Sequence, residues 1–203
     1  MTSSTTNRWV IGVVGTVAAT LLLAASASQQ PAEGRSETAK GAAQVTLYNA
    51  EGDEVGRAKL KPAGGGGTRV QARITEAAPG FHGFHIHAIG ECDPDAPDGP
   101  FTTAGGHFAP EGQAHGDHAG DLPSLLVLAN GTASLEFVTD RFGVRDLRDD
   151  DGSAVMIHVG RDNFANIPER YVSTTSGQPG PDEATLATGD AGARYACGVV
   201  EGG

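Results

Sequence analysis

Helical periodicity is nearly absent from this 203-residue chain, and eight short runs of strand-forming residues take its place. They lie at Gln44–Asn49, Glu54–Lys61, Arg69–Glu76, Gly83–Ile89, Ser124–Ala129, Ala133–Val138, Ala154–Val159 and Tyr195–Val200. Asn49–Asp53, the Gly64–Gly67 run and Asn130-Gly131 supply turn chemistry between them, and the chain holds 30 glycines and 11 prolines. Such a sequence can bury a core only by pairing strands. The spacing predicts an all-β domain, an eight-stranded Greek-key β-barrel or sandwich of immunoglobulin-like type. Two long strand-free stretches, Gly90–Pro123 and Gly160–Arg194, interrupt the pattern. Loops of that length inside a compact domain are usually functional. The acidic, Arg-containing segment Asp140–Asp151 reads as a solvated connection without chemistry.

The chain ahead of the strands has a different character. Arg8 precedes an apolar run from Trp9 to Ala24, and Ala25-Ser26-Ala27 gives a small-x-small cleavage signal. Residues 1–27 read as a secretory signal peptide, the alternative being an uncleaved membrane anchor. Residues 28–43 are small, polar and aperiodic, as in a flexible linker. Residues 44–203 then form one domain of ordinary size. The signal segment carries one Arg and no acid, which leaves 13 basic against 25 acidic residues. That balance argues against nucleic acid as a partner. It leaves small anions open, because a local field can differ in sign from the net charge. In an exported protein the two cysteines, Cys92 and Cys197, are expected to form one disulfide.

All seven histidines fall between His82 and His158. His85 and His87 lie two apart in an alternating run, so a strand would point both to one face, roughly 6.5–7 Å apart along the backbone. Two imidazoles could converge there on one metal ion. His107, His115, His118 and His158 follow, with Asp121 three residues after His118. His82 has the opposite strand parity and reads as a supporting residue, bonded to backbone and positioning a ligand.

The blocks GFHGFHIH, AGGHFAP, HAGDLP, MIHVGRDN and GDAGARYACGV resemble, in order, those of the copper/zinc superoxide dismutase family. The resemblance spans nearly all of the mature domain. It implies copper at His85, His87, His107 and His158, and zinc at His107, His115, His118 and Asp121, with His107 bridging the two metals. Imidazoles suit copper in both oxidation states, and three His with one Asp make a closed tetrahedral set for zinc. Only two residues separate His115 from His118, fewer than is usual in the family. The resemblance also implies that Asp162 links a copper-ligand histidine to a zinc-ligand histidine, and that Arg194 binds and orients the anion. The implied reaction is the disproportionation of superoxide to oxygen and hydrogen peroxide, with His107 and Arg194 as catalytic residues. Two alternatives stay open: a non-catalytic copper-binding module on the same fold, and a copper-only dismutase. The implied partner is the small anionic substrate, with a homodimer admitted and membrane contact only through an uncleaved N-terminus. The implied location is secreted or within the cell envelope.

Overall fold

The computed structural model describes Met1 and residues 41–201. The expected signal peptide 1–27 and nearly all of the linker 28–43 lie outside the described residues. Ala42 and Ala43, expected at the end of that linker, are buried, and Ala43 already pairs with Leu60.

Each of the eight strand-forming runs carries a strand, and a ninth joins them. The strands are β1 (Ala43–Asn49), β2 (Glu54–Pro62), β3 (Thr68–Ile74), β4 (Gly80–His82), β5 (Phe84–His87), β6 (Leu125–Val127), β7 (Ala133–Thr139), β8 (Ala154–His158) and β9 (Arg194–Val199). The unexpected one is β4, three residues long and paired with β6. Flanked by Gly80 and Gly83, it reads in the sequence only as the approach to β5. The other seven strands form one antiparallel sheet in the order β5-β8-β9-β1-β2-β3-β7.

Period-two alternation builds the core. Val45 and Leu47 of β1, Ala58 and Leu60 of β2, and Val70, Ala72 and Ile74 of β3 point inward. They meet Phe84 and Ile86 of β5, Val155 and Ile157 of β8, and Ala196 of β9 in one apolar cluster. Strands from both ends of the sheet share that cluster, so the sheet curls around it. All four residues of β5 are buried, because its outer face is covered as well. Phe84 and Ile86 fill the core while His85 and His87 point the other way.

What covers that outer side is the first long loop. On one edge β5 pairs with β8. On the other, Ile86 donates its N–H to the Gly120 carbonyl (2.9 Å) and accepts from the Phe108 N–H (2.8 Å). These contacts set His107 opposite His87 and Asp121 opposite His85. Gly120 makes the approach possible: a Cβ there would stand 2.3 Å from the Ile86 carbonyl oxygen.

The second long loop is more ordered than the sequence suggests. It holds one short helix, α1 (Glu183–Thr188). Asp182 caps its start by accepting from Thr185 N (2.9 Å), and Gly189 closes it in the left-handed region at φ 66°. Buried Asp190 then accepts from the hydroxyls of Tyr171 (2.6 Å) and Thr175 (3.0 Å), folding the loop onto its own end just before Arg194. Cys92 and Cys197 form a disulfide with Cα atoms 5.7 Å apart across 105 residues. It ties β9 to the first long loop.

Candidate metal centre

Six of the seven histidines come together beside β5. His85 and His87 project from β5, His158 ends β8, and His107 arrives on the first loop opposite His87. The ring centroids of His85 and His107 are 3.9 Å apart, those of His85 and His158 4.8 Å, and those of His87 and His107 5.0 Å. A register shift between Ile157 and His158 places His158 across from Arg194.

The outer nitrogen of each ring has a partner, which decides what its other nitrogen can do. His87 Nδ1 faces the Gly105 carbonyl (2.9 Å) and His158 Nδ1 the Gly192 carbonyl (3.0 Å). His85 Nε2 lies 2.6 Å from Asp162 Oδ2. Each of these contacts needs an N–H, so His85 Nδ1, His87 Nε2 and His158 Nε2 present lone pairs inward. His87 Nε2 and His158 Nε2 face each other at 3.4 Å, and His85 Nδ1 and His107 Nε2 are buried with no protein partner. Buried polar atoms left unpaired are rare in folded proteins. A metal ion would satisfy all four.

The second set shares His107. Its Nδ1 is 2.8 Å from Asp121 Oδ1 and 3.3 Å from His118 Nδ1, which is itself 3.2 Å from the same oxygen. His115 Nδ1 lies 3.5 Å from Asp121 Oδ2, while His115 Nε2 is 2.9 Å from Asp162 Oδ1. One carboxylate therefore touches a histidine of each set. Within each set the donor atoms lie within 4.8 Å of one another. Four imidazoles fit copper, and three imidazoles with one carboxylate fit zinc.

Burial shapes the protonation of these groups in the metal-free protein. It holds His158 down to about 3, assisted by His85, and holds His107 down to about 4 against the pull of Asp121. His87 is also pushed well below its usual value, chiefly by burial. His115 goes the other way. Burial acts to lower it, but hydrogen bonds to Asp121 and Asp162 prevail and raise it to about 9. Burial would raise the two carboxylates, yet their histidine partners keep both well below the usual range.

The pH dependence of the metal-free protein follows. Between about pH 6.5 and the depressed values of His107 and His158, the unfolded chain takes up protons that the folded protein refuses, so stability is lost as pH falls. Above about pH 6.5 the folded protein keeps the His115 proton that the unfolded chain has lost, and stability falls as pH rises toward 9. Urea midpoints of the metal-free protein are expected to peak near about pH 6.5 and drop on both sides. A midpoint that climbs steadily from pH 6.5 to 9 would contradict the His115 assignment.

Gly189, the first residue of the GDAGARYACGV block, is packed against this frame. A Cβ at that position would stand 2.3 Å from Asp162 Oδ1 and 2.3 Å from His115 Nε2. Gly189→Ala is expected to open the Asp162–His115 contact and weaken zinc binding by about 10- to 100-fold, read by chelator competition.

Two further groups hold the surroundings. Nδ1 of His82 lies 2.7 Å from the His158 carbonyl and its Nε2 2.7 Å from the Ala78 carbonyl, so it touches backbone on both sides and joins neither donor set. Arg194 donates to the carbonyls of Phe101 and Gly105 (2.5 Å to Gly105), and Gly105 is also the partner of His87. Burial lowers the value of Arg194, but a guanidinium stays charged regardless. These contacts to carbonyl oxygens leave no trace in residue identities. Arg141, in a segment read as free of chemistry, also reaches this site.

The chain matches the family model for copper/zinc superoxide dismutase over residues 54–200. It is 45% identical to the Cu-Zn superoxide dismutase of Mycobacterium tuberculosis over 181 residues, covering 84% of this chain and 75% of that protein. Among solved structures it is similar to the Cu/Zn superoxide dismutase of Brucella abortus, with a TM-score of 0.60, 31% identity, and coverage of 79% and 99% of the two chains. A SOD-like protein of Bacillus subtilis is also similar, with a TM-score of 0.57, 28% identity, and coverage of 78% and 97%.

Proposed function

The chain belongs to the copper/zinc superoxide dismutase family and acts on superoxide, and we propose that it does so at a copper ion held by His85, His87, His107 and His158. The observation that carries this assignment is the set of inward-facing nitrogens: His85 Nδ1 and His107 Nε2 are buried without a partner, and His87 Nε2 and His158 Nε2 face only each other. Bound copper would supply alternate one-electron oxidation and reduction of successive superoxide ions.

The protein's own residues do the rest. Arg194 orients the anion: it pairs with His158 across β8 and β9, and its guanidinium is fixed by two carbonyls. His107 is the proton carrier, with Nε2 toward the copper set and Nδ1 toward the zinc set. A neutral imidazole accepts a proton at Nε2 and returns it to the reduced oxygen species. His107, His115, His118 and Asp121 would hold zinc, which would supply rigidity to the His107 ring. Asp162 locks His85 and His115, and His82 supports the backbone at His158.

The protein is further assigned to the cell envelope or the medium, with residues 1–27 as its cleaved signal. The disulfide supports this, since such bonds persist outside the reducing cytosol. Among the described residues no helix is long and apolar enough to cross a membrane. A homodimer is the assembly to test, by sedimentation.

One sample decides the chemistry if metal content and superoxide consumption are both measured after reconstitution. One copper and one zinc per chain with rapid consumption supports the reading. Copper without activity would mean a copper-buffering module. Activity with copper and no zinc would remove the zinc assignment.

A further inference from the structure

The segment between His115 and His118 turns its amides one way and its carbonyls the other. Inward, Asp121 Oδ2 accepts from Gly116 N (2.7 Å) and His118 N (3.1 Å). Outward, one nitrogen of the Arg141 guanidinium donates to the carbonyls of Gly116 (3.2 Å) and His118 (2.9 Å). The His118 carbonyl also receives the N–H of Asp121 (3.1 Å), so Arg141 reinforces the turn that delivers the carboxylate. Arg141 stands on the connection after β7, 23 residues beyond His118, and lines a surface cleft with Asp121, Arg161, Asp162 and Phe164.

With two residues between its histidines, this turn carries one backbone hydrogen bond of its own, from the Asp117 N–H to the Ala114 carbonyl (3.0 Å). It is gripped from inside by a carboxylate and from outside by a guanidinium, and both kinds of hydrogen bond are charge-assisted. Gly116 is also packed from the second loop, where Ala165 would meet a Cβ at 2.9 Å.

We propose that Arg141 is a positioning residue for the zinc ion, fixing the backbone of Gly116 and His118 so that His115, His118 and Asp121 converge on one point. This rests on the zinc assignment made above. The copper-set residues His85, His87 and His158 stand on strands and take none of their support from Arg141. Loss of the guanidinium therefore acts directly on the zinc set and reaches copper only through the shared His107 and Asp162.

The test compares Arg141→Met and Arg141→Lys with the wild-type chain. Zinc affinity is read by chelator competition, copper affinity by the same method, and the zinc site by the visible spectrum of its cobalt(II) form. Arg141→Met is expected to raise the zinc dissociation constant by about tenfold, at the lower end for residues that support a ligand, and to shift the cobalt bands. Copper affinity, measured without zinc so that the shared His107 and Asp162 do not couple the two ions, should stay within about twofold. Arg141→Lys should recover most of the loss, because an ammonium still offers donors to two carbonyls. Unchanged zinc affinity in Arg141→Met would overturn the role of Arg141 while leaving the zinc site in place. An equal loss for copper and zinc would overturn it too, as the mark of a general folding defect. A wild-type chain that takes up no zinc would overturn the zinc assignment itself, and this role with it.

Discussion

Replacing Arg194 by alanine is expected to lower the second-order rate with superoxide by about ten- to a hundredfold while leaving copper content unchanged. The split between rate and loading follows from the contacts. Arg194 touches no ligand ring; it shares the Gly105 carbonyl with His87. That carbonyl keeps its His87 contact when the guanidinium goes, so the ligand stays oriented. What is lost is a fixed positive charge close enough to act on His87 and His158, where the anion must arrive. The rate loss should shrink as salt is added, because screening removes the long-range part of the attraction in both proteins. Superoxide decay followed by stopped flow, with copper quantified on the same sample, measures both sides of the prediction. Full activity of Arg194→Ala at low ionic strength would remove the arginine from the mechanism.

The second large effect concerns stability. Cys92→Ser with Cys197→Ser opens a crosslink spanning 105 residues. The chain-entropy account assigns a loop of about that size roughly 4.7 kcal/mol, a large share of the about 5–15 kcal/mol that holds a typical domain folded. The double variant should unfold at markedly lower guanidinium concentration, and wild-type protein kept reduced should match it. Activity should fall as well. The disulfide ties β9, whose first residue is Arg194, to the loop that presents the Phe101 and Gly105 carbonyls. Loosening that tie lets the guanidinium leave its two anchors. A double variant with unchanged unfolding would mean that contacts around β9 alone hold this end of the molecule.

Much of this architecture could be read from residues alone, and the reasons are physical. Strands announce themselves by alternation, so β1, β2, β3 and β7 follow their sequence runs to within a residue or two at most ends. The histidines and Asp121 stood out because metal chemistry restricts residue type. The structure brings all of them, except His82, into the two donor sets. The disulfide was legible because two cysteines in a chain read as exported have one way to pair.

Other features had no such signal. β4 is too short to alternate visibly. Helix α1 was hidden in a loop rich in turn residues, although Asp182 as a cap and Gly189 as a stop frame it. Arg141 acts on backbone carbonyls, which every residue carries, so nothing in its neighbourhood sets it apart from a surface arginine. Gly189 matters for the atom it lacks. The acidic connection containing Arg141 looked inert because composition was all that described it.

Asp162 gives one oxygen to His85 and the other to His115, and His107 gives one nitrogen to each set. Uptake of the two metals is therefore a linked equilibrium. With the two sets filled as proposed, an ion entering first would fix Asp162 and His107 and leave the second less conformational freedom to remove. Linkage is reciprocal: the factor by which zinc tightens copper is the factor by which copper tightens zinc. Scarcity of either metal then lowers the occupancy of both.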